Sequence, residues 1–349
     1  MIPPMQKTTP PSRLHPGRVL ARFSVFSMAM ALAAAPAFAQ EDEFGADGAE
    51  AAPGATLEGG PPTADDGPSV STVLLGGGIY NFASSFEQGG GEVSVGRAFA
   101  GVGARFRFDP QIGVGLRLAY EGGFYDFDGD SRLSPAPGVA PWGDVHSVQI
   151  GGRVDYAFDR QWRANLGLFF EFSGETSASA GDSFTVGGTI GASYSFSETF
   201  TLGGGVLLSS RLEESVLAIP LIFIDWEFAE NWKLTNVAGP EAYPTGAGLE
   251  LEWTINDGFA LALGARYEFR QFRLDDSGPA SRAGGVGGVQ QTPVWLRAEW
   301  RPDAAWRFDG VVGVSAFQQW ELLDAGGAQQ AKVDADPSLF VGAFVSYRF

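Results

Sequence analysis

From Val70 to Phe349 apolar and polar residues alternate with a period of two. Along Phe259–Arg270, Leu261, Leu263, Ala265, Tyr267 and Phe269 fall on one face, opposed by Ala262, Gly264, Arg266, Glu268 and Arg270. Trp162–Phe172 repeats this, with Leu166, Leu168 and Phe170 against Arg163, Asn165, Gly167 and Glu171. In Trp306–Trp320 one face takes Trp306, Phe308, Val312, Val314 and Ala316, the other Arg307, Asp309, Gly313, Ser315 and Gln319. Successive side chains of a strand point to opposite faces, so each segment reads as a strand with one oily and one polar or small surface. No stretch sustains a 3.6-residue apolar period, and no apolar run is long enough for a spanning helix.

Short turns punctuate these strands and share one design. Phe108–Ile112, Phe158–Trp162, Phe196–Phe200, Phe228–Trp232 and Ile255–Phe259 each place about three polar residues between two large apolar ones, and Trp300–Trp306 is a longer copy. Asp, Asn, Gly and Pro supply tight-turn geometry, and gaps this short require antiparallel hairpins. Longer connections lie between them, at Asp126–Asp144, Asp275–Gln290 and Leu322–Asp336, apart from one short connection near Glu213. Six short turns and a strand at each end predict fourteen strands: 70–82, 93–108, 112–125, 145–158, 161–173, 183–196, 199–211, 215–228, 231–238, 246–255, 258–273, 291–301, 305–321 and 337–349. Twelve strands is the alternative, because Pro220 falls inside the eighth, where it removes a ladder donor.

Alternation alone does not say which face is inside. Phe108, Ile112, Phe158, Trp162, Phe196, Phe200, Phe228, Trp232, Ile255, Phe259, Trp300, Trp306 and Phe349 all stand on the oily face, beside a short turn or at the chain's end. Bulky, mostly aromatic residues at a single height form the interfacial girdle of a membrane barrel, whereas a soluble core would spread them through its depth. The expected fold is therefore an all-β, transmembrane, antiparallel up-and-down barrel over residues 70–349, closed because hydrocarbon tolerates no open sheet edge.

The first 39 residues read as an export signal: Arg13, Arg18 and Arg22, the apolar stretch Phe23–Ala35, then Ala37-Phe38-Ala39 before a cleavage point at Gln40. Residues 40–69 hold eight acids and no base among Ala, Gly and Pro, the composition of a flexible acidic periplasmic linker. The net charge of −18, which becomes −22 once residues 1–39 are removed, argues against nucleic acid. The absence of cysteine excludes disulfides and thiolate sites.

The last strand ends Leu339-Phe-Val-Gly-Ala-Phe-Val-Ser-Tyr-Arg-Phe349, with Tyr347, Val345, Ala343 and Val341 alternating before the terminal Phe349. It resembles the terminal signature of bacterial outer-membrane barrels. That resemblance implies an outer-membrane location, lipid as partner, and recognition of Tyr347 and Phe349 by the barrel-insertion machinery. Ile219–Phe228, Trp232-Lys-Leu and Gly239-Pro240 are similar to an uncharacterised family of such barrels, which implies no activity.

The inward alternates carry most of the basic residues, among them Arg105, Arg107, Arg117, Arg163, Arg266, Arg270, Arg297 and Arg307, and acids including Asp225, Glu227, Glu250 and Glu252. Opposed charged walls would set the selectivity of a porin-like channel for small solutes or ions; the same charges could instead cancel in ion-pair networks. A non-conducting structural or adhesive barrel is the rival reading. Catalysis, metal and cofactor are not expected. His146 is adjacent to Ser147 on a strand and so faces away from it. Asp126, Asp128 and Asp130 open like a calcium loop but lack its glycine and its bidentate glutamate. Gly284–Gly288 lacks the strand-to-helix unit of a phosphate cradle and reads as loop filler.

Overall fold

The structure is a computed structural model and describes residues 68–236, 246–279 and 281–349. The expected signal peptide, nearly all of the acidic linker and the end of the expected ninth strand lie outside the described residues.

Fifteen strand segments form one sheet: β1 (Ser69–Ser85), β2 (Glu92–Arg107), β3 (Ile112–Asp128), β4 (Val145–Ala157), β5 (Trp162–Glu175), β6 (Phe184–Ser197), β7 (Phe200–Arg211), β8 (Glu214–Ala229), β9 (Trp232–Asn236), β10 (Gly246–Asn256), β11 (Phe259–Arg273), β12 (Val286–Trp300), β13 (Trp306–Leu323), β14 (Gln329–Ala335) and β15 (Ser338–Arg348). From β1 to β14 each pairs antiparallel with its sequence neighbour, β15 pairs with β13, and β1 pairs with β15 to close the ring. β14 and β15 lie along the same strand, β13, one above the other. They form a single stave broken at Asp336-Pro337, so the barrel has fourteen staves, and no helix occurs among the described residues.

The short turns owe their shape to side-chain oxygens. Asp109 accepts the N–H groups of Gln111 and Ile112, Asp159 those of Gln161 and Trp162, and Asp303 those of Ala305 and Trp306, all at 2.7–2.9 Å. These Asx turns satisfy two backbone donors that the hairpin leaves unpaired. The same two bonds hold the Asp159 carboxyl below the usual carboxylate range. At the long-loop end the strands run further than alternation indicated. β12 starts at Val286, so Val286, Gly287 and Gly288 are strand and not loop filler, and Gly287 lies under the Phe272 ring. β13 reaches Leu323, and part of the expected 322–336 connection is β14. Phe317 adopts φ +49° at a bulge where the β12–β13 register shifts. The extra residue turns Gln318 and Trp320 inward, so Gln319 leaves the face that strict alternation assigned to it.

Pro220 is compatible with the closed sheet. Ile222 and Ile224 turn their backbone groups toward the β9 side, where the Asn236 amide bonds the Ile222 carbonyl (2.9 Å) and the Ile224 N–H (2.8 Å). By alternation Pro220 faces that side too. It therefore removes no donor from its pairing with Val206 on β7, and it lies beyond the described end of β9.

The outer surface is oily. Phe158, Trp162, Phe228, Trp232, Trp300, Trp306 and Phe349 are all exposed at the short-turn end. Ring contacts link Trp162, Tyr194, Phe196, Phe200, Trp226, Phe228, Trp232 and Trp253 into one run. A second exposed aromatic set, Phe82, Phe124, Phe172, Phe184 and Phe317, stands toward the long-loop end. Ten residues separate Trp162 from Phe172 on β5. At ~3.3 Å per residue and a tilt of ~40°, that spacing is about 25 Å, the height of the apolar band of an outer-membrane barrel.

Candidate functional site

The inward alternates make the site, and its two sides differ. On the side built by β10–β13, β15 and β1–β3 the interior is closely packed. Arg297, 3% exposed, donates to Glu250 (2.6 Å), Glu252 (3.1 Å), Asp309 (3.0 Å) and Glu299. Arg307 adds contacts to Asp309 (2.9 Å) and Glu299 (3.0 Å), and the Trp295 indole N–H donates to Glu250 (2.9 Å). Toward the long-loop end a second network joins Glu268 to Arg266 (2.5 Å), Arg97 (3.4 Å) and Gln291, and Arg270 to Glu121. Charges this deeply buried persist only when paired and hydrogen-bonded.

Between the two networks lies an apolar layer of Ile79, Phe99, Ala119, Trp295, Val311, Phe340 and Phe344. Its rings lie flat on glycines of adjacent strands: a Cβ built on Gly264 would sit 2.4 Å from Trp295, and one on Gly77 2.6 Å from Phe344. Two cavities of about 20 Å³ flank Arg97, each the size of a single water.

The side built by β7 and β8 is looser and less charged. Thr201, Gly203, Gly205, Leu207 and Ser209 of β7 are all half-buried, whereas every inward residue of β12 is fully buried. β8 adds Leu217, Ile219, Leu221 and Phe223, of which only Leu221 is fully buried. The run Val216–Ile224 is apolar on both faces, the pattern of a strand with no aqueous side.

The long-loop end is covered. Tyr125, Phe127, Trp142, Phe272 and Trp320 cluster with Phe86, Leu133, Leu274 and Val289. The tip of β11 crosses the interior to meet β5 at Gly174, and Leu212, Val286 and Leu323 join the β7–β8 turn to the ends of β12 and β13. Outside this cover, backbone and hydroxyl donors hold the Asp275 and Asp324 carboxyls below their ordinary range.

The residues singled out in the sequence fall as follows. Arg266, Arg270, Arg297, Arg307, Glu250 and Glu252 are brought together in the two networks. Arg105 lies 3.8 Å from Asp155, and Asp225 lies 3.1 Å from Lys233, whose strand neighbour is Glu227. Arg107 and Arg117 are half-buried on the inward phase of β2 and β3, and Arg163 is exposed at the short-turn rim. Tyr347 contacts Trp306 and Phe349 at 4.7 Å each. His146 bonds Tyr120 (2.8 Å) on the outward face, while Ser147 bonds Ser173 (2.6 Å) inside. Asp130 accepts from Gly138, and no group of three metal-ligating side chains occurs among the described residues. The aromatic cluster at the mouth is absent from these expectations. Trp142 belongs to an irregular loop without periodicity, and only an isolated tryptophan among loop residues marks it.

No protein-family model matches the chain, and no curated protein matches it. Among solved structures it is similar to an outer-membrane channel from Pseudomonas putida F1 (9% identity, 83% of this chain and 98% of that one, TM-score 0.46). It is also similar to a FadL homologue of Pseudomonas aeruginosa (9%, 80% and 89%, 0.41) and to the P. putida toluene transporter TodX (13%, 82% and 90%, 0.38). At this level of likeness no property of those proteins is carried to this chain.

Proposed function

We propose that the chain is an outer-membrane barrel that lets small solutes of low polarity pass along the β7–β8 side of its interior. The carrying observation is the asymmetry of that interior. Basic and acidic side chains on the packed side neutralise one another at contact distance, whereas the looser wall presents Leu207, Leu217, Ile219 and Phe223 among glycines and hydroxyls. In this reading the arginines and glutamates brace the wall, and an ion-selective filter made from them is the weaker reading. The exposed apolar band of bilayer height supports the membrane location, with the short turns in the periplasm and Tyr347 and Phe349 at the strand offered to the insertion machinery. A non-conducting barrel is the second reading, and the packed mouth favours it.

The test is solute flux into vesicles carrying refolded Gln40–Phe349, alongside planar-bilayer conductance in a salt gradient. Entry of small apolar solutes with little ion current supports the proposal. Large ion-selective steps would restore the charged filter, and neither flux nor current would leave a sealed structural barrel.

A further inference from the structure

The mouth cluster has an unusual occupant. Trp142 is not on a strand; the loop between β3 and β4 carries it inward, and it is 1% exposed. Its ring is enclosed by four others. Trp320 stacks on it at 5.9 Å and 19°, while Phe127 (5.4 Å), Phe272 (5.2 Å) and Tyr125 (5.9 Å) meet it edge-on. All four wall rings stand on strands. The cage therefore belongs to the barrel and its filling to a loop.

Two side chains secure the filling. The Glu175 carboxylate accepts the N–H of Gly143 (2.6 Å), and the Arg282 guanidinium donates to the carbonyl of Pro141 (2.7 Å). These are the two residues flanking Trp142, and Glu175 and Arg282 lie 3.6 Å apart as an ion pair. The pair grips the backbone on either side of the indole from above the cage. The fit is also chemically incomplete, because the buried indole nitrogens of Trp142 and Trp320 have no hydrogen-bond partner. Stacked and edge-on ring walls suit any flat aromatic body, and a buried N–H without an acceptor costs free energy that a hydrocarbon ring would not incur.

We infer that this cage is a binding site for a planar, uncharged aromatic solute of two-ring size, occupied here by the chain's own Trp142, which the Glu175–Arg282 pair holds in place. Solute and Trp142 compete for one cage. The apparent affinity of the intact protein is therefore lowered by the fraction of time the loop residue is seated. The inference names the solute class for the passage proposed above and rests on that reading for its physiological sense, while the site itself is defined by binding alone.

The experiment is equilibrium dialysis of the refolded full barrel against labelled naphthalene and indole. A heat-dependent gel shift confirms folding of each variant, and Trp320→Ala, which removes a cage wall, sets the background uptake. Arg282→Met leaves every ring in place and releases one grip on the loop. It should bind naphthalene about tenfold more tightly than the wild type as the seated fraction falls. Indole should bind about tenfold more weakly than naphthalene, since its N–H finds no acceptor. Trp142→Ala should bind at least as tightly as Arg282→Met. If Trp142→Ala binds and Arg282→Met does not, the cavity is a product of truncation and the inference falls; it falls equally if neither binds. Binding without solute flux in vesicles would uphold the site and remove the passage, whereas flux without binding would overturn the site and leave the passage.

Discussion

The two sides of the barrel interior obey different rules. On the β10–β13 side, fully buried side chains are matched atom to atom: Arg297 meets four carboxylates, and Trp295 rests on Gly264. On the β7–β8 side the inward residues from Thr201 to Ser209 and from Leu217 to Phe223 are small, hydroxylated or apolar, and all but Leu221 remain half-buried. Both sides come from the same two-residue alternation and the same outward girdle, so the hydrophobic pattern does not separate them. The contrast comes from what the inward half of each repeat carries. Charges that must find partners draw one wall together, whereas glycine and leucine impose no such demand and leave room beside β7 and β8.

The largest effect should come from the centre of the packed wall. Arg297→Met takes the shared guanidinium from three nearly fully buried carboxylates, Glu250, Glu299 and Asp309, and breaking such a network costs ~3–5 kcal/mol. Arg163→Met, at the exposed short-turn rim of β5, should change stability by less than ~0.5 kcal/mol. Urea unfolding of the refolded barrels reads both, and equal losses would erase the distinction between the buried charge network and the exposed rim. Next comes the outward surface, which should not distinguish the two walls. Leu168→Arg, between the two aromatic sets, should cost ~2–4 kcal/mol, and Trp162→Arg at the rim ~0–1 kcal/mol. Tolerance of arginine at Leu168 would place that face away from hydrocarbon.

A smaller effect tests the packing itself. Gly264→Ala pushes a methyl into the Trp295 ring, for which overpacking costs ~1–3 kcal/mol. Gly310→Ala points into open space and should be nearly neutral. Smallest of all is Asp159 in the β4–β5 turn. Its carboxyl is held below the usual range by two backbone donors, so its contribution is present at neutral pH. That contribution is lost as the pH falls from about 4 through the depressed value. Asp159→Asn should therefore lower stability slightly at pH 7 and less at pH 3, flattening the acid limb, as unfolding midpoints at the two pH values would show.

These outcomes bear on how much a sequence of this kind discloses. Period-two alternation and the large-apolar, polar, large-apolar turns identify fourteen staves, their facing and the short-turn girdle, because all three depend on neighbours in sequence. The Asp109, Asp159 and Asp303 turns are local in the same way. What alternation leaves open is height and partner. It puts Arg297 and Glu250 inside but does not bring them within 2.6 Å across forty-seven residues. It passes over the bulge at Phe317, which reverses facing within one strand. It is silent on Trp142, whose position depends on Glu175 and Arg282, far away in sequence. The second aromatic set, from Phe82 to Phe317, stands on the same oily phase but without turn motifs to mark its level.

The rings that lie on glycine have a consequence for the history of the chain. Gly264 and Trp295 occupy one space between them, as do Gly77 and Phe344, and Gly187 and Phe169. Neither member of such a couple is at liberty to drift alone. A side chain gained on the glycine strand must follow, or accompany, a smaller residue on its neighbour. Across descendants of this barrel the high glycine content should therefore change in linked steps, with small and large exchanging places between adjacent strands.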